Sequence, residues 1–147
     1  MTDRFKRQLV LGLSVLFTGV ASIVLFSQIA QTSDIKNRND LYQELLERSG
    51  KLNRDLPKLL DRQTRFERAE VMNYGMRFIY SLVGVDKYQH NVEDIRQQLE
   101  PAMLRQFCES EALNYYREEA EFLIIRYLDR SEALLFELRF TADQCAA

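Results

Sequence analysis

The residues from Leu9 to Ala30 run without a single charge, behind a short basic head of Arg4, Lys6 and Arg7. An α-helix rises about 1.5 Å per residue, so such a run reaches roughly 33 Å, enough to cross a hydrocarbon core of about 30 Å. A chain with this segment has one apolar stretch to bury in lipid and one hydrophilic remainder to fold outside it. The expectation is a cytoplasmic head over residues 1–8, a single transmembrane helix over residues 9–30, and everything later displayed on the far side.

A cleavable signal peptide is the competing reading of the same residues. Signal cores span about 7–15 apolar residues and end at a small-x-small site. Gly19-Val20-Ala21 has that shape, but cleavage there would leave the apolar Ile23-Val24-Leu25-Phe26 at the new terminus. Gln28-Ile29-Ala30 carries a bulky amide where a small residue is wanted, and no cysteine lies nearby for a lipid anchor. Length therefore favours retention. Basic residues before the span, against Lys36 and Arg38 mixed with Asp34 and Asp40 after it, favour N-in, C-out. The expected location is the bacterial inner membrane, single-pass, with the C-terminal domain periplasmic. Within the span Ser14, Thr18 and Ser22 recur at four-residue spacing, a small face on which two membrane helices can pair.

Cysteine use fits an exported domain. The two cysteines, Cys108 and Cys145, have neither CxxC spacing nor clustered histidines, and pair most simply as a disulfide. Closing that loop would contribute about 3–4 kcal/mol in the chain-entropy model. Two unlinked thiols are the alternative. Lys and Arg number 20 against 22 Asp and Glu, without a basic block, which argues against a nucleic-acid-binding face.

The exported part divides into a helical linker or stalk over residues 31–60 and an α+β domain over residues 61–147. Ser33 or Asp34 can cap a helix starting near Ile35, with Ser49-Gly50 ending it and Asp55-Leu56-Pro57 starting another. A heptad reading places Leu45, Leu52 and Leu59 in one seam, either a self-associating stalk or a helix packed on its own domain. From Phe66 the pattern Ala69, Met72, Met76, Ile79, Val83 predicts a broad apolar helix at the centre of the core, stopped by Gly84. Asn91 and Asp94 resemble a capping box, and Leu104, Phe107, Cys108, Ala112 and Tyr115 share a face of the helix that Pro101 begins or bends. Alternation in Leu134, Phe136, Leu138 and Phe140, after the β-rich Phe122 to Leu128, predicts a C-terminal β-hairpin, with a helix from Asp129 as runner-up. The free edge of such a hairpin could accept a partner strand. The expected fold is thus α+β: an N-terminal transmembrane helix, a helical linker and bundle, then a β-hairpin.

Chemistry is sparse. His90 stands alone in a polar loop, and no nucleophile–base pair can be drawn. Glu109, Glu111, Glu118, Glu119 and Glu121 fit no metal-binding spacing, and no glycine-rich phosphate loop exists. Tyr115 and Tyr116, with Tyr74 and Tyr80, read as core. The expectation is no catalysis, no cofactor and no metal.

The order of parts resembles the TraE-type inner-membrane components of conjugative type IV secretion systems. The residues that carry the resemblance are Phe78-Ile79, then Gln98-Leu99-Glu100-Pro101, then Phe122 leading into the hairpin. It implies a nuclear-transport-factor-like periplasmic domain and an assembly factor that dimerises and touches several machine components. The functional expectation is a membrane-anchored structural subunit of a secretion, conjugation or pilus machine. It would act through other envelope proteins, as a homo-oligomer and without nucleic acid. The alternative is a membrane-anchored periplasmic sensor or regulatory module working through a membrane partner.

Overall fold

The computed structural model describes residues 37–146, and Asp40–Ala147 forms one compact unit. The expected membrane helix over residues 9–30, with Ser14, Thr18 and Ser22, lies outside the described residues. No helix among the described residues is long and apolar enough to cross a membrane.

Residues 37–53 are helical (α1). Three strands follow, β1 (Lys58–Leu59), β2 (Thr64–Met72) and β3 (Gly75–Leu82), then the helices α2 (Val92–Glu109) and α3 (Asn114–Glu118). Strands β4 (Leu123–Leu128) and β5 (Leu134–Phe140) come next, and a 3₁₀ turn, Ala142–Cys145, closes the chain. The five strands form one sheet in the order β1-β2-β3-β4-β5, antiparallel throughout except for the parallel pair β3/β4. A parallel pair needs a crossover, and α2 with α3 supplies it.

Register explains the core. Three rows cross the sheet on one face: Phe66–Tyr80–Tyr127–Phe136, Ala69–Phe78–Ile125–Leu138, and Val71–Met76–Leu123–Phe140. A bulge at Glu67 lets Phe66 and Ala69 share that face although three residues separate them. Leu45 of α1, Phe107 of α2 and Tyr116 of α3 bury against these rows. Asn91 caps α2 by accepting from the Glu93 N–H at 3.1 Å, and Pro101 lies inside that helix rather than at its start.

Three expectations fall here. The fold is not a helical bundle followed by a hairpin: β4 and β5 are two strands of a five-stranded sheet. The apolar helix over residues 66–83 is instead the hairpin β2–β3. Its two-residue turn, Asn73-Tyr74, places Asn73 at φ 53°, a left-handed conformation that asparagine tolerates. The three-and-four spacing arose because β3 buries both faces. Met76, Phe78 and Leu82 point to the helices, while Ile79 and Ser81 are buried on the other side. Finally, no second linker helix starts at Asp55. A turn, the cis peptide Leu56–Pro57 and β1 occupy residues 54–59, and Gly50 sits inside α1 instead of ending it.

The sheet's second face is covered by its own long side chains. Arg77 lies 3.5 Å from Glu70 and 3.4 Å from Glu137, Arg126 lies 2.6 Å from Glu137, and Arg68 lies 2.8 Å from Glu70. Beneath their stems Ile79 and Ile124 are buried.

Candidate functional site

A groove of about 340 Å³ opens where three segments distant in sequence meet. The first half of α2 contributes Ile95, Gln98 and Leu99; the end of β3 and its loop contribute Leu82, Gly84, Val85 and His90; the β1–β2 turn contributes Gln63 and Thr64. Its floor is aliphatic and its rim is amide, hydroxyl and imidazole, the composition that receives an apolar segment and orients it by a few polar contacts.

Each wall has a local cause. In the β1–β2 turn the Asp61 carboxylate accepts from the N–H groups of Gln63 (2.6 Å) and Thr64 (2.8 Å), which hold its pKa below the usual value. The turn is tied to β3 by the Val83 N–H, which donates to the Gln63 carbonyl at 2.9 Å, and is closed by the Leu60 N–H on the Thr64 carbonyl, also at 2.9 Å. Leu60 (54 % exposed) and Val83 (38 % exposed) are open to solvent at this turn.

The opposite wall hangs on Asp129, a buried carboxylate. It accepts from the Ser131 hydroxyl (2.7 Å) and from the N–H groups of Ser131 (2.8 Å), Ala133 (2.9 Å) and Lys87 (3.1 Å). These donors, the Ser131 hydroxyl first, hold its pKa down to about 2 against the opposing cost of burial. The Lys87 bond ties the β3–α2 loop to the β4–β5 turn, reinforced by the Arg130 N–H on the Val85 carbonyl (3.0 Å) and by Arg130 on Asp86 (2.7 Å). In the same loop the His90 Nδ1 lies within reach of the Asp86 N–H (3.1 Å) and carbonyl (3.0 Å).

The residues singled out from sequence are scattered. Leu45 is fully buried in the domain core, Leu52 packs beside it, and Leu59 sits on β1 at 59 % exposure, so the three form no common seam. Cys108 of α2 and Cys145 of the closing turn are joined in a disulfide, which pins the chain's end to α2. Tyr116 packs edge-on against Phe78 at 5.2 Å, while Tyr115 lies under the Arg48 guanidinium at 3.6 Å. Among the described residues no group of three or more His, Cys, Asp or Glu could hold a metal ion. Sequence reasoning missed the groove and Asp129. For Asp129 a signal existed: Asp-x-Ser is the pattern of a turn whose carboxylate takes back its own backbone.

This architecture, an antiparallel sheet with one parallel crossover and helices over one face, recurs in solved structures. No protein-family model matches the chain, and no curated protein matches it in sequence. Three experimental structures share the fold. A Pseudomonas aeruginosa protein described as secreted aligns with a TM-score of 0.62 at 12% identity, covering 74% of this chain and 96% of its own. EpsS, the pilotin of the Vibrio vulnificus type 2 secretion system, aligns at 0.60 and 15% identity, covering 75% and 96%. AspS, the Vibrio cholerae type II secretion pilotin, aligns at 0.60 and 14% identity, covering 77% and 99%.

Two expectations are corrected by these likenesses. The resemblance to TraE-type conjugation components is overturned, because the structures that share the fold are two type II secretion pilotins and a protein described as secreted. The single-pass inner-membrane location, with a cytoplasmic N-terminus and a periplasmic domain, is withdrawn on the same finding.

Proposed function

We propose that this chain is an assembly subunit of a secretion machine. It acts without catalysis, by gripping an apolar segment of a partner protein in the groove between α2 and the β1–β2 turn. The observation that carries the reading is the fold shared with two secretion pilotins, whose chains are covered over 96% and 99% of their length. The groove supports it independently, with an aliphatic floor of Leu82, Val85, Ile95 and Leu99. A helix or strand with apolar residues on one side would bury those four side chains. The first partner to test is the machine's secretin.

The experiment is co-purification of the full chain from its native host, with subunits of the machine identified by mass spectrometry. Wild type and the control Arg68→Ala, on the ionic face, should retain the secretin. Leu99→Arg, checked by circular dichroism for an intact fold, should lose it and reduce secretion. Recovery of no machine subunit by wild type, or equal recovery by Leu99→Arg, would defeat the reading.

A further inference from the structure

The two edges of the sheet are finished differently. On the β1 side, β1 pairs only as far as Phe66, and beyond it the Asn53 side chain takes the place of a strand. Its Nδ2 donates to the Ala69 carbonyl at 2.8 Å and its Oδ1 accepts from the Ala69 N–H at 2.8 Å, with the Ser49 hydroxyl on the same carbonyl at 2.8 Å. At the other edge β5 is the last strand of the sheet order and, among the described residues, pairs with β4 alone. It has no proline, no glycine and no helix-borne amide to blunt it. An open edge of this kind is a template for another strand.

The charges on β5 say which strand. Glu137 and Arg139 point to the ionic face, two residues apart around Leu138. Glu137 uses a single oxygen, Oε1, for both Arg126 (2.6 Å) and Arg77 (3.4 Å), which leaves Oε2 to receive another donor. The Arg139 guanidinium rests over the Phe122 ring at 3.7 Å, a contact that leaves its N–H groups at the ring's periphery. The strand is therefore self-complementary. When two β5 strands pair antiparallel about an axis at Leu138, Glu137 of each copy faces Arg139 of the other. Phe136 then faces Phe140 on the helix side. Moving the axis to Glu137 sets the two Glu137 carboxylates against each other, so charge selects one register.

We propose that a second copy of this chain adds its β5 to the outer edge of β5, about a two-fold axis at Leu138, making one continuous sheet across both copies. The Oε2 of each Glu137 receives the Arg139 of the other copy, and the apolar rows of the two cores meet at Leu138.

Light scattering on the full chain over a concentration series tests this. Wild type should reach the mass of a dimer. Glu137→Arg and Arg139→Glu each place like charges at both crossing points and should raise the dimer dissociation constant by at least about tenfold. Mixed together, the two variants set an arginine of one chain against a glutamate of the other at both points, and the mixture should regain the dimer. Circular dichroism checks that each variant folds. Because Glu137→Arg also loses Arg77 and Arg126, a second measurement uses the unaltered protein: hydrogen exchange of the β5 amides should slow with rising concentration, while Ala69 stays constant. A chain monomeric at every concentration, a dimer indifferent to Arg139→Glu, a mixture no better than its components, or β5 exchange independent of concentration would overturn the proposal.

Discussion

Asn53 is the sharpest test of how α1 is held to the sheet. Its amide makes two 2.8 Å bonds to the backbone of Ala69, a residue 2 % exposed, and a third at 3.3 Å to the Ser49 hydroxyl. Asn53→Ala removes these and leaves the Ala69 N–H with no acceptor; the carbonyl keeps its Ser49 bond. The orphaned N–H costs about 1–3 kcal/mol and the other two lost bonds are worth about 0.5–1.5 kcal/mol each, so the variant should lose about 2–6 kcal/mol. Asn53→Asp separates the two halves of the amide. A carboxylate still accepts from the Ala69 N–H but presents charge to the Ala69 carbonyl, so it should destabilise at neutral pH. Acidification protonates it, restores a donor and should recover part of the loss. Urea denaturation followed by circular dichroism gives the energies, and hydrogen exchange at Ala69 reads the bond directly. Loss under about 0.5 kcal/mol in Asn53→Ala, the range of an ordinary surface substitution, with unchanged Ala69 exchange, would refute the reasoning.

Three other sites offer tests of comparable directness. At Gly75 an added Cβ would run into the Phe122 ring, so Gly75→Ala should cost about 1–3 kcal/mol in urea melts, less in a Phe122→Leu background. Asp129 has its pKa lowered from 3.8 to about 2, so the stability it contributes is complete above 3.8 and drains away as pH falls through about 2. Acid titration of wild type should therefore show a steeper loss over that window than Asp129→Asn, and equal slopes would contradict the assignment. Breaking the Cys108–Cys145 bridge by Cys145→Ser releases a loop with a sequence separation of 37. In the chain-entropy model this costs about 4 kcal/mol, measured as the difference in urea midpoint energies with and without the bridge.

How far the sequence discloses this fold depends on how many faces each element buries. The helix α2 was legible because Asn91 caps it and one stripe is apolar, and β5 because Phe136, Leu138 and Phe140 are buried while Glu137 and Arg139 are exposed. β3 was not. Its second face carries Ile79 and Ser81 under arginine stems, so alternation is overwritten and a helical period results. The turn at Asn73 was the overlooked signal, since Asn-Tyr-Gly between two β-rich runs provides a residue suited to positive φ. β1 is too short to leave a pattern. The groove was beyond reach for a different reason: Gln63, Leu82, His90 and Leu99 come from separate segments whose meeting is set by the parallel crossover.

The distribution of charge narrows where a partner can sit. Covering the ionic face would remove Arg68 and Glu70, now 55 and 35 % exposed, from water, and each ion so buried carries a desolvation penalty of several kcal/mol. A partner there would have to replace that hydration group by group. The groove demands less, because its floor is aliphatic and its amide, hydroxyl and imidazole groups stand at the rim, within reach of water. The β5 edge demands little, because its backbone N–H and C=O are satisfied one for one by a neighbouring strand and its Glu137 and Arg139 each meet an opposite charge. Desolvation thus separates two serviceable surfaces from one that mainly shields Ile79 and Ile124. The two lie on different parts of the domain, the groove between α2 and the β1–β2 turn and the open edge at β5. A substitution that empties the groove should therefore leave self-association intact, and one that reverses charge on β5 should leave the groove's ligand in place.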